Sequence, residues 1–216
     1  MDEAEIWKVI EQGRAELADL FETFDAERWT RATLCEGWTM REMAAHLSVG
    51  SRIGVSSALA GLVRARGDFN RFVDITARRD ATRPTGELVA ELRAAARSRR
   101  LAPGQSLTNA VLDVLVHAQD VAVPLGLDWP MDLPAARLAA ADTWRRSFPF
   151  RARRRLRGFR LVATDIAWAA GDGSEVRGPI SALLMLLTGR EAALDRLTGP
   201  GAEALVASLA GRGVRS

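Results

Sequence analysis

Cysteine, tyrosine, lysine and histidine are almost missing from this chain of 216 residues, which has one cysteine, no tyrosine and two histidines. Lys8 is the sole lysine. A single thiol, Cys35, excludes an internal disulfide framework and agrees with a reducing compartment. No apolar run approaches the roughly 20 residues that a bilayer-crossing helix needs. The opening MDEAEIWKVIEQ is acidic and amphipathic, unlike a secretory signal, so a cytoplasmic protein is expected. Interleaved tyrosines, helix-turn-helix signatures and zinc-finger spacings are absent too, so neither a nucleic-acid partner nor a membrane partner is expected.

What is present is a globular composition, 48% apolar and 26% charged. The length fits one large or two small domains and suffices for a real core. The formal charge is only +3, but RARRRLRGFR (151–160) holds six arginines and no acid, leaving the remainder slightly acidic. Such a run can bind phosphate, or it can be a solvated face or an inter-domain hinge.

Apolar residues Ile6, Val9, Ile10, Leu17, Leu20, Phe21 and Phe24 recur near helical spacing and define a first helix. DAERWTRATLCEGW then breaks the period and reads as a structured loop. Thr39 followed by Glu42 forms a capping-box pattern that opens a second helix, expected to continue from TMREMAAHL through SVGSRIGVSSALAGLVRARG. A third opens after Pro84, and a fourth runs from about Ser106 until Pro124 and Gly126 close it. LPAARLAAADTWRRSF is a fifth. Long helices with short-to-medium loops predict a mainly α architecture, a four-helix bundle over residues 1–148. After the arginine run, apolar and polar positions alternate around Leu161–Ile166, and GDG (171–173) reads as the turn of a β-hairpin. PISALLMLLTGREAALDRL returns to helix, giving a small α+β domain over 151–216.

Both histidines fall on predicted helices. Asp113 and His117 are four residues apart, which places them on one face about 6 Å apart along the axis. If the helix carrying His46 neighbours theirs, two imidazoles and one carboxylate converge, leaving one coordination position open as in catalytic zinc sites. The same donors suit iron or nickel. Asp120 lies on the same stripe, offset about 20° from Asp113. It is a second candidate carboxylate, or a cap, an arginine partner or a support for a histidine. The bland alternative makes both histidines hydrogen-bonded core residues of a metal-free bundle.

LCEGWTMREMAAHL (34–47) resembles the signature of the mycothiol-dependent maleylpyruvate isomerase family, within the DinB-like metalloprotein superfamily. LDVLVHAQDVAVPLG (112–126) is similar to the second motif of that family, and LVATDIAWAAGDGSEVRGPISALLMLLTGREAALDRLTGPG to its small C-terminal domain. The resemblance implies a DinB-like bundle with His46, Asp113 and His117 as ligands of a divalent metal, most simply zinc. Asp113 stands where the characterised member has glutamate. The resemblance also implies mycothiol as a thiol cosubstrate, which adds to an activated double bond and leaves after rotation, or is transferred to an electrophile. The expected activity is therefore that of a metal- and mycothiol-dependent isomerase or S-transferase acting on a small electrophile, as a monomer or homodimer. No protein thiol need be the nucleophile, and Cys35 reads as a packed core thiol. Arg190, in TGR of the C-terminal domain, is the candidate catalytic cation for orienting an anionic substrate; Arg52 lies on a different helix face from His46. Trp38 reads as a buried structural residue or as part of the site entrance. Rival readings are a non-catalytic metal-binding sensor or partner-binding module on the same bundle, and a hydrolase using bound water.

Overall fold

The computed structural model describes residues 1–50 and 52–213. The chain is mainly helical, with a small three-stranded mixed sheet near its C-terminus. It divides into two compact units, Asp2–Trp129 and Pro130–Ser216 together with Met1. The boundary expected at 148–151 falls inside the second unit.

The first unit holds α1 (Glu3–Glu22), α2 (Ala26–Thr30), α3 (Met40–Val49), α4 (Val55–Arg64), α5 (Phe69–Asp80), α6 (Thr85–Ala96) and α7 (Leu107–Ala122). Helices α1 and α3 each pack on both α6 and α7, forming the four-helix bundle. Its fully buried positions include Ile10, Leu17, Phe21, Met43, Leu88 and Leu92. Small residues bring the helices close: a Cβ on Gly13 of α1 would fall 2.4 Å from a methyl of Val114 on α7.

Caps set the helix starts as the sequence suggests. The Thr39–Glu42 capping box opens α3, and Ser106 caps α7 by accepting from the Asn109 N–H. Gly126, in the left-handed conformation at φ 67°, ends the turn that follows α7. Three local expectations differ. The long second helix is two helices, because Gly50 and Gly54 interrupt it, and each glycine weakens a helix interior by about 1 kcal/mol. The loop after α1 contains the short α2, capped by Asp25. Helix α5, capped by Asp68, occupies a stretch for which the sequence suggested no element.

The second unit holds α8 (Leu133–Arg145), α9 (Ala152–Arg155), β1 (Gly158–Ala163), β2 (Ala169–Ala170), β3 (Gly173–Gly178), α10 (Ile180–Leu187) and α11 (Ala202–Gly213). Helix α8 packs on α10, which is why it belongs with this unit. The expected hairpin is corrected in its turn and partner. β1 pairs antiparallel with β2 through the 164–168 connection, and GDG instead carries the chain past the start of β1 into β3, which runs parallel to β1. That passage needs glycine: a Cβ on Gly171 or Gly173 would sit 2.3 or 2.2 Å from the carbonyl oxygen of Phe159 or Gly158. Among the described residues no helix is long and apolar enough to cross a membrane.

Candidate metal centre

His46 sits in the second turn of α3, whose start is fixed by the capping box; the Thr39 N–H donates to Glu42 at 2.9 Å. The preceding loop is tied down on both sides. The Leu34 N–H donates to the Asp120 carbonyl of α7 at 3.1 Å, and the Trp38 indole donates to Asp74 of α5 at 2.9 Å. Arg78 of α5 braces the loop further, donating to the Gly37 carbonyl at 2.9 Å. Trp38 is buried, with its ring centroid 5.2 Å from that of His46. It therefore packs against the histidine and orients it.

Asp113, His117 and Asp120 lie along one stripe of α7, and α3 brings His46 to it. Asp113 Oδ1 is 3.4 Å from His46 Nε2 and 3.3 Å from His117 Nε2. The two imidazoles meet edge to face, with centroids 4.9 Å apart. All three donor atoms lie within 4.8 Å of one another. Ligands bound at 2.0–2.1 Å around a tetrahedral zinc are separated by about 3.3 Å, so the measured spacings match edges of such a tetrahedron. The donor set fits a borderline-soft divalent cation.

The two carboxylates differ in exposure. The Asp113 side chain is 29% exposed and Asp120 is 0% exposed. Asp120 Oδ2 accepts from His117 Nδ1 at 2.8 Å, which assigns the proton to Nδ1 and turns the Nε2 lone pair towards the shared point. The same Asp120 oxygen accepts from the Cys35 thiol at 3.2 Å.

Burial opposes charge on both Asp113 and His117, but their mutual attraction outweighs it. The two imidazoles hold Asp113 well below the usual carboxylate range. Asp113, helped by the hydrogen bonds of His117 to Asp120 and Cys35, raises His117 well above the ordinary histidine value. Arg14 of α1, buried and donating to the Ala95 carbonyl at 3.1 Å, is lowered by its own burial and raised by the charge of Asp113.

The structure thus brings together His46, Asp113 and His117, with Asp120 behind His117. A second group, Cys35, His117 and Asp120, could also hold an ion, but through the opposite nitrogen of His117. Sequence reasoning assigned Cys35 only to packing. Its sulfur does touch the core, yet it also lies 3.9 Å from His117 Nδ1. The available signal was its place in LCEGW, beside the first motif. Arg14 gave no signal, since buried and exposed arginines look alike in sequence. Arg52 is engaged elsewhere, with Glu91 at 3.1 Å. Arg190 lies in the second unit just after α10, where its guanidinium donates to the Thr188 carbonyl at 2.9 Å.

Residues 10–106 match the family model described as "Mycothiol maleylpyruvate isomerase N-terminal domain". That span includes His46 and ends before Asp113. No curated protein matches the chain in sequence. Two crystal structures share its fold, one of a histidine-to-alanine mutant of mycothiol-dependent maleylpyruvate isomerase and one of mycothiol-dependent maleylpyruvate isomerase itself. Their TM-scores are 0.64 and 0.58, each at 15% identity and each match covering 94% of both chains. At that identity the likeness establishes the fold, and over residues 10–106 the chain is similar to the mycothiol maleylpyruvate isomerase N-terminal domain family.

Proposed function

We propose that this chain is a metal-dependent enzyme that uses a small thiol, mycothiol, to isomerise or conjugate a small electrophile. The observation that supports it most is the spacing of His46 Nε2, Asp113 Oδ1 and His117 Nε2 around one point, with a buried carboxylate fixing the tautomer of His117. Zinc is the cation that this donor set fits most simply. Held by His46, Asp113 and His117, such a cation would lower the pKa of a thiol or water that reached it.

The chain's own residues do the rest. His46 and His117 offer neutral nitrogens and Asp113 one negative charge, so these three donors would leave a bound dication with a net positive charge. Asp120 holds the Nδ1 proton of His117 and keeps that ring from rotating. Trp38 closes one side of His46 against water. The electrophile, drawn from the family's name, is an activated alkene such as maleylpyruvate. The thiol forms one C–S bond, the former double bond rotates, and the same C–S bond breaks to return the thiol. With other electrophiles the C–S bond is retained and the leaving group departs. Arg190 is proposed as the cation that orients an anionic substrate by a paired hydrogen bond to its carboxylate.

Elemental analysis of the purified protein beside His46→Ala and His117→Ala tests the first half. About one divalent ion per chain, lost in both variants, is expected. No ion, and none taken up on titration, overturns the metal reading. Turnover of maleylpyruvate and a panel of electrophiles with and without mycothiol tests the second half. A metal-loaded protein with no thiol-dependent turnover of any of them overturns the enzyme reading in favour of a sensor. Normal turnover of an anionic electrophile by Arg190→Ala removes Arg190 from the proposal.

A further inference from the structure

The chemistry proposed at the metal centre makes no use of the arginine run. Between Asp142 and Asp165 the chain carries eight arginines and no acidic residue. Arg160 is exposed on β1, and the structure sorts the other seven by what they touch. Arg145 and Arg146 pair with Asp142 at 3.2 and 2.6 Å. Arg155 turns inward, donating to the carbonyls of Leu186 at 2.7 Å, Phe150 at 3.2 Å and Leu187 at 3.3 Å. Arg151, Arg153, Arg154 and Arg157 are exposed, and among the described residues none of these four meets a carboxylate.

These four, with Arg146 and Ser147, line one concave pocket of about 350 Å³. Its walls are shaped rather than incidental. Arg151 holds a left-handed backbone at φ 49°, which L side chains rarely adopt, and its carbonyl accepts from the N–H groups of Arg154 and Arg155 at 2.9 and 3.0 Å. That turn sets the first arginine against the helix that carries the next two. Arg153 lies over the Trp144 ring, 5.9 Å from its centroid, which steadies another wall.

The guanidinium groups around this cavity repel one another; among the described residues a carboxylate, Asp142, offsets that of Arg146 and none offsets the other four. An anion does. Guanidinium forks match phosphate oxygens in pairs. A singly charged anion would leave most of the forks unmatched, whereas two or three linked phosphoryl groups use them all. The volume lies in the range of small-molecule sites, about 300–1,000 Å³, and a concave cavity suits a compact ligand better than a polymer laid across a surface. We propose that the pocket formed by Arg146, Ser147, Arg151, Arg153, Arg154 and Arg157 binds a small polyphosphate, free or as the diphosphate part of a larger molecule. The proposal is independent of the metal reading.

Calorimetric titration of the full chain with inorganic pyrophosphate and tripolyphosphate in about 0.15 M salt tests it. One saturable site is expected, weakened at least about a hundredfold in Arg151→Gln/Arg154→Gln/Arg157→Gln and within about twofold of normal in the control Arg64→Gln/Arg71→Gln of the first unit. At a hundred times Kd the ligand should raise the melting temperature by about 5 °C or more. Polyphosphates also bind metals, so the titration is repeated in His46→Ala, where binding should persist. Should the triple variant not fold, Arg154→Gln alone should weaken binding about tenfold. No saturable binding, equal loss in the control variant, or loss in His46→Ala with retention in the triple variant overturns the proposal. So does binding confined to a single-stranded oligonucleotide or to vesicles rich in anionic lipid, the two other sources of clustered phosphate.

Discussion

At Asp113 the charges are matched within the protein, with two imidazoles against one oxygen, Asp120 behind His117, and Cys35 behind Asp120. At Arg151–Arg157 four cations share a cavity and meet no carboxylate among the described residues. Both clusters concentrate ionisable groups, but they impose different costs. The first is half-buried, where an unpaired charge would be expensive, so each member is held by another. The second is open to water, where repulsion between like charges is screened to a small term and can be left for a ligand to offset. Rigid mutual support suits a site that must present lone pairs at fixed spacing. Open like charge suits one that attracts a counter-ion.

The contrast is broken most severely by removing the support behind the metal centre. Asp120→Asn keeps the shape and can still accept from His117 Nδ1, but it removes the charge. Metal affinity should fall about 10–100-fold, read by competition with a chelator. A loss below about threefold would make Asp120 a space-filling residue.

pH separates the metal-free and metal-loaded states. In the metal-free protein His117 is raised above its ordinary value of about 6.5, so its contribution is complete below that pH and is lost as pH climbs through the raised value. Asp113 is depressed, so its contribution is complete above the ordinary carboxylate range and fades only as pH falls through its low value. Stability of the metal-free protein should therefore be greatest in the mildly acidic window and should decline on the alkaline side. Metal uptake should run the other way, strengthening about tenfold per pH unit while His117 must release its proton. Melting temperatures of stripped and loaded protein from pH 5 to 9 check both slopes. Parallel curves would show that His117 is not a ligand.

Much of the first cluster was legible because helical periodicity is strict. Four residues separate Asp113 from His117, and the capping box at Thr39 and Glu42 fixed where His46 sits on α3. The pairing of α3 with α7 came from the resemblance, since spacing within one helix says nothing of its neighbours. Cys35 escaped because its contact with Asp120 spans 85 positions and depends on a loop pinned from α5 and α7. The sheet was misread for a related reason. Alternation marks a strand but not its partner, and the glycines of GDG serve a crossing over β1 as readily as a hairpin turn. In the arginine run the sequence revealed the charge but not its use, because Arg154 and Arg155 are adjacent and one turns inward while the other lines a pocket.

That adjacent pair supplies the finest comparison. Arg155→Gln removes a charged donor from the carbonyls of Phe150, Leu186 and Leu187, and a shorter amide cannot reach all three. Hydrogen bonds from a charged group contribute about 1.5–3 kcal/mol, so the melting temperature should fall by about 3–10 °C. Arg154→Gln removes an exposed cation from a like-charged group and, among the described residues, breaks no ion pair. Its melting temperature in the absence of ligand should stay within about 2 °C of the parent. A small rise is the sharper expectation, because one of four mutually repelling charges is gone. Raising the salt should then shrink the difference between Arg154→Gln and the parent while leaving that of Arg155→Gln nearly intact, since partly buried hydrogen bonds are screened far less than surface repulsion. If both variants lose stability equally, the division of this run into an inward anchor and an open pocket fails.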